Sequence, residues 1–155
     1  MSIESRLAKL GIELPDPPKP LASYVPVVVA GGLAFVAGQV AMQEGAPIHP
    51  GHVGAEVSLE EAQEAARRCA LQALAALRAE LGSLDRVARI VHVSVFVASA
   101  AGFGDQPKVA NAASDLLLGV FGEGGRHARV AVGVAELPVG APVEVGVVAE
   151  VGTAP

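Results

Sequence analysis

The run Val87–Ala98 restricts the fold more than any other feature of the chain. In it Val91, Val93, Val95 and Val97 alternate with Ile90, His92, Ser94 and Phe96. Valine and isoleucine favour extended backbone, and alternation sends successive side chains to opposite faces. Both faces here are largely apolar, which predicts an inner strand covered on both sides. The remaining elements must therefore supply one cover from within the chain and another from elsewhere.

Two helices answer the first demand. Ser58-Leu59-Glu60-Glu61 reads as a capping box, in which hydroxyl and carboxylate each satisfy an orphan amide. It opens a helix running to about Leu81, closed by Gly82, with Ala62, Ala65, Ala66, Cys69, Ala73, Ala76 and Leu77 on one stripe. Small side chains on that stripe allow close approach to a sheet. A second helix is predicted from about Asp105 to Val120, its stripe formed by Val109, Ala113, Leu116, Leu117 and Val120. Further strands are expected at Tyr24–Ala30, Leu33–Val40, Ala128–Ala135 and Val143–Val151, with a long Gly/Pro/His loop from Glu44 to Gly54. A short amphipathic helix over Ser2–Leu10 and a proline-rich arm over Pro15–Pro20 precede them. The order ββαβαββ predicts one α+β domain over residues 1–155, a two-layer sandwich of a mixed sheet with two helices on one face, its first 23 residues forming helix and arm. The other face is left bare. An apolar face of that size predicts association with further copies of the chain.

Composition narrows the function classes. Hydrophobic residues make up 52% of the 155, aromatics only 3%, and the net charge is −5. With no basic cluster longer than Arg67-Arg68, a nucleic-acid footprint is missing. The single cysteine, Cys69, excludes a disulfide framework and fits a reducing, cytoplasmic setting. No charge occurs between Lys19 and Glu44, but Pro20, Pro26 and Gly31-Gly32 divide that stretch into two strands, so no membrane span is expected. The mixed charges of residues 1–11 do not make an export signal.

Few residues stand out for chemistry. His49 and His52 read as solvated loop histidines, His92 as a half-buried strand residue and Cys69 as helix packing. Gly122-Glu-Gly-Gly125 follows a helix and reads as its exit. Arg129 differs: Ala131 and Gly133 share its strand face, leaving room for a ligand beside a planar fork that suits a carboxylate. A structural carboxylate partner is an equal alternative at this point. Glu144 interrupts the apolar strand 143–148. If the last two strands form a simple hairpin, Arg129 and Glu144 lie opposite one another, and the carboxylate is ionised and able to orient a water.

These residues carry a resemblance. Gly125-Arg-His-Ala-Arg-Val-Ala-Val-Gly-Val-Ala-Glu-Leu-Pro138 with Val143-Glu144-Val145 resembles the C-terminal signature of the reactive intermediate deaminases (RidA/YjgF-type). Leu33-Ala-Phe-Val-Ala-Gly-Gln39 resembles their Ser-Gly-Gln strand, and Tyr24, Leu84–Val87 and Gln106–Asn111 fall where the family pattern puts them. The N-terminal extension is similar to that of a longer subgroup. The resemblance implies a chorismate-mutase-like fold and a homotrimer with clefts between subunits. It also implies a cofactor-free, metal-free hydrolysis of enamines and imines to a 2-keto acid and ammonia. By position it gives Arg129 the carboxylate-binding role and Glu144 the water-positioning role, with Tyr24, Asn111, Ala37 and Gly38 in the pocket. Ala37 stands where the family commonly has Ser, Ala131 where many members have Cys, and Gly146 where a second acid is frequent. A binding module that senses small carboxylates is the competing reading. A ribonuclease role is disfavoured by the acidic charge.

Overall fold

The computed structural model describes residues 1–19 and 22–152. Helix α1 (Ile3–Lys9) is capped by the Ser2 hydroxyl and buries Leu7. The proline-rich arm that follows has no regular structure over 15–19, and its Pro20 lies outside the described residues. Strands β1 (Val27–Ala30) and β2 (Leu33–Val40) form a hairpin. The short pair β3 (Met42–Gln43) and β4 (Ala46–Pro47) follows. Next come α2 (Leu59–Leu81), β5 (Val87–Ala98), α3 (Gln106–Phe121), β6 (Ala128–Val134) and β7 (Val143–Val151).

The main sheet runs β1-β2-β7-β5-β6. Only β5 and β6 are parallel, joined through α3; the other pairings are antiparallel. Both long helices lie on one face, α2 over β2 and β7, α3 over β5 and β6. The expected two-layer α+β sandwich with a mixed sheet is the architecture. The Ser58–Glu61 capping box starts α2 as anticipated. Ala62, Ala65, Ala66, Cys69, Ala73 and Leu77 are all fully buried beneath it. Leu74, Leu84, Ile90 and Leu117 are buried as completely, each contributing about 1.5–3 kcal/mol over an exposed position.

The opposite sheet face has no cover from the described residues. Val28, Phe35, Val130 and Val132 are each close to half exposed. Single exposed apolar residues mean little, but a sheet face of them calls for a partner surface.

Several local expectations are corrected. The first strand starts at Val27 rather than Tyr24, because Pro26 has no N–H to give to a ladder; its carbonyl accepts from Ala37 N at 2.8 Å instead. The supposed long loop contains the β3–β4 hairpin, whose turn Glu44-Gly45 has positive φ at both positions, as a type I′ turn requires. The valine alternation in β5 breaks at a bulge between Ile90 and His92. One extra residue reverses the parity, so Ile90 and Val93 both reach the core while Val91 is exposed. Most consequentially, β6 and β7 are not a hairpin: β5 lies between them.

Candidate functional site

Arg129 sits on β6, the edge strand, in register with the buried Val93 of the neighbouring β5. Residues in register on parallel strands point the same way, so Arg129 faces the helical layer, with Ala131 and Gly133 following it along the strand. There its Nη1 donates to Asn111 Oδ1 at 2.9 Å and to Ser114 Oγ at 3.1 Å, both from α3. A structural carboxylate is not its partner. Nη1 has two hydrogens, and these two bonds use both. The Nε–Nη2 edge has no partner among the described residues, and that edge presents two parallel N–H groups. Such a pair is the geometry that holds a carboxylate bidentately.

Behind Arg129 stand two residues that the sequence reading missed. Ser114, almost fully buried, lies 2.9 Å from His127 Nε2, while His127 Nδ1 lies 2.6 Å from the Gly125 carbonyl. The spacing was available: Asn111 and Ser114 share a helix face at i, i+3, and His127 and Arg129 share a strand parity. Asn111 therefore reaches Arg129 within one chain, and no neighbouring copy is needed for that contact.

Glu144 lies on the other side of the sheet. It pairs across β7–β5 with Phe96, and both project from the open face, while Val143 and Val145 point to the core. It occupies a shallow pocket of about 360 Å³ with Phe35, Gly38, His92, Ser94 and Phe96. Gly38 forms part of an irregularity in β2, between Val36 and Gln39. A Cβ at Gly38 would come within 2.7 Å of Glu144 Oε1, so the absence of a side chain there is what lets the carboxylate settle over the strand. Glu144 makes no hydrogen bond or ion pair with any described residue, and burial raises its pKa above the ordinary carboxylate value. The anticipated neighbouring arginine is absent among the described residues, and burial shifts the carboxyl upward where an arginine would have shifted it down.

Two strand steps separate β6 from β7, about 10 Å at ordinary strand spacing. Arg129 and Glu144 also face opposite layers, so one chain does not bring them together. Ala37 lies beside Gly38 on β2, and its carbonyl accepts from Gln39 Nε2. Tyr24, exposed ahead of β1, is at the far edge of the sheet, four strand steps or about 19 Å from β6. Arg129 with Asn111 forms one group; Glu144, Ala37 and Gly38 form another; Tyr24 stands beyond the second.

The loop histidines are more engaged than expected. His49 has Glu61 3.0 Å from Nδ1 and Glu64 2.8 Å from Nε2. His52 contacts the Ala135 carbonyl and Glu136, and these, the carbonyl foremost, raise its pKa. They tie the loop to α2 and to the end of β6. No group of three or more His, Cys, Asp or Glu residues is arranged to hold a metal among the described residues. His92 is half-buried, as expected, with Ser94 Oγ at the limit of hydrogen bonding, 3.5 Å. Cys69 is fully buried and its thiol is pushed far up by desolvation, which leaves it inert. A larger hollow of about 560 Å³ lies between α1 and α2, but its only cationic lining residue, Arg78, is paired with Glu4 at 3.4 Å, and Glu13 adds a further negative charge. No helix among the described residues is long and apolar enough to cross a membrane.

Known proteins share this fold. Residues 4–151 match the family described as "YjgF/chorismate_mutase-like, putative endoribonuclease". The chain is 48% identical over 149 residues to Protein TCP17 of Trypanosoma cruzi, covering 96% of this chain and 93% of that one. The crystal structure of Atu1372 from Agrobacterium tumefaciens, a protein of unknown function, is 42% identical, with a TM-score of 0.88 over 97% of this chain and 92% of that one. TdcF of E. coli, solved with bound serine, shares the fold at 23% identity, with a TM-score of 0.60 over 86% of this chain and 92% of that one. The chain belongs to the YjgF/chorismate mutase-like family.

Proposed function

We propose that this protein hydrolyses reactive enamines and imines derived from amino acids, without a cofactor, releasing a 2-keto acid and ammonia. The observation that carries the reading is Arg129: Nη1 is saturated by Asn111 and Ser114, and the Nε–Nη2 edge has no partner among the described residues. A substrate carboxylate docks on that edge. The imine carbon is already electrophilic, so the site has only to hold the acid group and deliver water at the right angle.

Glu144 positions that water. Its raised pKa keeps it closer to neutrality than an exposed carboxylate, which suits a group that takes a proton from water and passes it to the leaving nitrogen. Because Arg129 and Glu144 face opposite sides of one sheet, the complete site takes Arg129 and Asn111 from one copy and Glu144, Gly38, Ala37 and Tyr24 from the next. A closed homotrimer, which also covers Val28, Phe35, Val130 and Val132, provides three such clefts. The serine found on TdcF agrees with an amino-acid-derived ligand. The net charge of −5 favours a small carboxylate over an RNA strand. A reducing, cytoplasmic setting fits a chain whose one thiol is buried.

One feature supports a second reading, a carboxylate-binding module without catalysis: Ala37 offers no hydroxyl to water or ligand in the Gly38 pocket. The experiment is release of keto acid and ammonia from a freshly generated 2-aminoacrylate-type imine. Acceleration above the spontaneous rate, lost in Arg129→Ala, supports the deaminase. Tight keto acid binding with no acceleration supports the module.

A further inference from the structure

The bonds behind Arg129 run in one direction. The Gly125 carbonyl can only accept, so His127 Nδ1, 2.6 Å away, carries a proton. In the neutral ring Nε2 is then the acceptor, and the Ser114 hydroxyl, 2.9 Å away, donates to it. With its proton committed there, Ser114 Oγ turns its lone pairs toward Arg129 Nη1 at 3.1 Å. Gly125 is packed so closely on α3 that an added Cβ would collide with the Leu117 carbonyl, so the origin of the chain is anchored to the helix that carries Ser114 and Asn111. A serine–histidine pair also has the reach of a nucleophile and its base. Here Ser114 as a residue is only 7% exposed and one lone pair of its hydroxyl is taken by a guanidinium, so it is not placed to attack.

We propose that Ser114 and His127 are positioning residues: with Gly125 they lock the Arg129 guanidinium so that its Nε–Nη2 edge points outward to a substrate carboxylate. The proposal rests on the reading of Arg129 as the carboxylate anchor. Asn111 alone fixes one Nη1 hydrogen and leaves the fork free to swing; the Ser114 bond removes that freedom before the ligand arrives.

The test uses the full-length protein, with 2-oxobutanoate binding measured by calorimetry and imine hydrolysis resolved into KM and kcat. Ser114→Ala and His127→Phe are expected to weaken binding and raise KM about five- to tenfold, in the range of one ordinary hydrogen bond, with kcat changed about twofold or less. Ser114→Thr and His127→Gln, which retain a hydroxyl and an acceptor, are expected to recover most of the loss. Nitrogen NMR of the Arg129 side chain supplies a readout independent of activity: slow rotation about Cζ–Nη1 in the native protein, averaged in Ser114→Ala. Native affinity in Ser114→Ala and His127→Phe, beside lost affinity in Arg129→Ala, overturns the positioning role and leaves the anchor standing. Native affinity in Arg129→Ala overturns the anchor instead. The Arg129 resonances then decide the lock alone: unchanged rotation in Ser114→Ala refutes it, and averaged rotation upholds it.

Discussion

The two faces of the sheet are prepared to different degrees. On the helix side, Arg129 is held by Asn111 and Ser114, and Ser114 by His127, so its geometry is complete within one chain. On the open side, Glu144 rests over Gly38 without a partner among the described residues and with its pKa raised by burial. An anchor must be rigid before the ligand arrives, since ordering it afterwards weakens binding. A group that handles protons benefits from weak engagement, because a strong ion pair would pin it in one protonation state. Under the proposed function, the contrast between the faces follows a division of labour between holding and reacting.

The largest effect is expected at the rigid side. Arg129→Ala should lower kcat/KM at least about a hundredfold, and Arg129→Lys nearly as much, since an ammonium cannot reproduce a two-pronged contact. Steady-state kinetics on both variants check this; retention of activity by the lysine variant would reduce the fork to a point charge. Glu144→Gln should depress kcat by about ten- to a hundredfold while keto acid affinity stays near native. In the native protein the acid limb of the pH–rate profile should lie above the ordinary carboxylate range, the direction in which burial moves Glu144, and the limb should vanish in the amide variant.

Gly38→Ala sharpens the same point from the other strand. The new methyl meets Glu144 Oε1, the free end of a side chain, so the carboxylate moves while the strand stays. A several-fold loss of kcat, roughly what displacing one catalytic group a fraction of an ångström costs, is expected with Tm nearly unchanged. A collapse in Tm would show that Glu144 cannot yield. Ala37→Ser is its complement: if a hydroxyl is what the pocket lacks, turnover rises. The smallest effect is at His52, whose pKa is raised by the Ala135 carbonyl and Glu136. A raised histidine pKa contributes stability at low pH that is lost as pH rises through the folded-state value. His52→Ala should therefore lower Tm slightly at pH 6 and hardly at all at pH 9.

The helix stripes and the valine alternation made the layers legible in the sequence, because periodicity reports which side of an element is buried. The capping box at Ser58 and the small-residue stripe of α2 translate directly into structure for the same reason. Strand neighbours were not legible. Placing β6 against β7 assumed that adjacent strands pair, yet the α3 crossover delivers β6 parallel to β5 and leaves β7 to fill the centre. The bulges in β2 and β5 were equally hidden, since one extra residue leaves composition unchanged while reversing every side chain beyond it. Arg129 was legible because a guanidinium is unusual on a strand face of small residues, whereas Asn111 came only through the resemblance. Ser114 and His127 were overlooked because a serine in a helix and a histidine at a strand start are ordinary until a register aligns them.

The central claim is that the Arg129 face of one copy and the Glu144 face of another complete a single site. Mixing tests it directly: Arg129→Ala and Glu144→Gln proteins, each strongly impaired alone, are dissociated together, reassembled in equal amounts and assayed for imine hydrolysis. In a cyclic trimer, random reassembly joins an intact arginine to an intact glutamate at about a quarter of the interfaces, so about a quarter of native activity should return. Reassembled trimers without any recovery would place both residues of each working site in one chain and contradict the account.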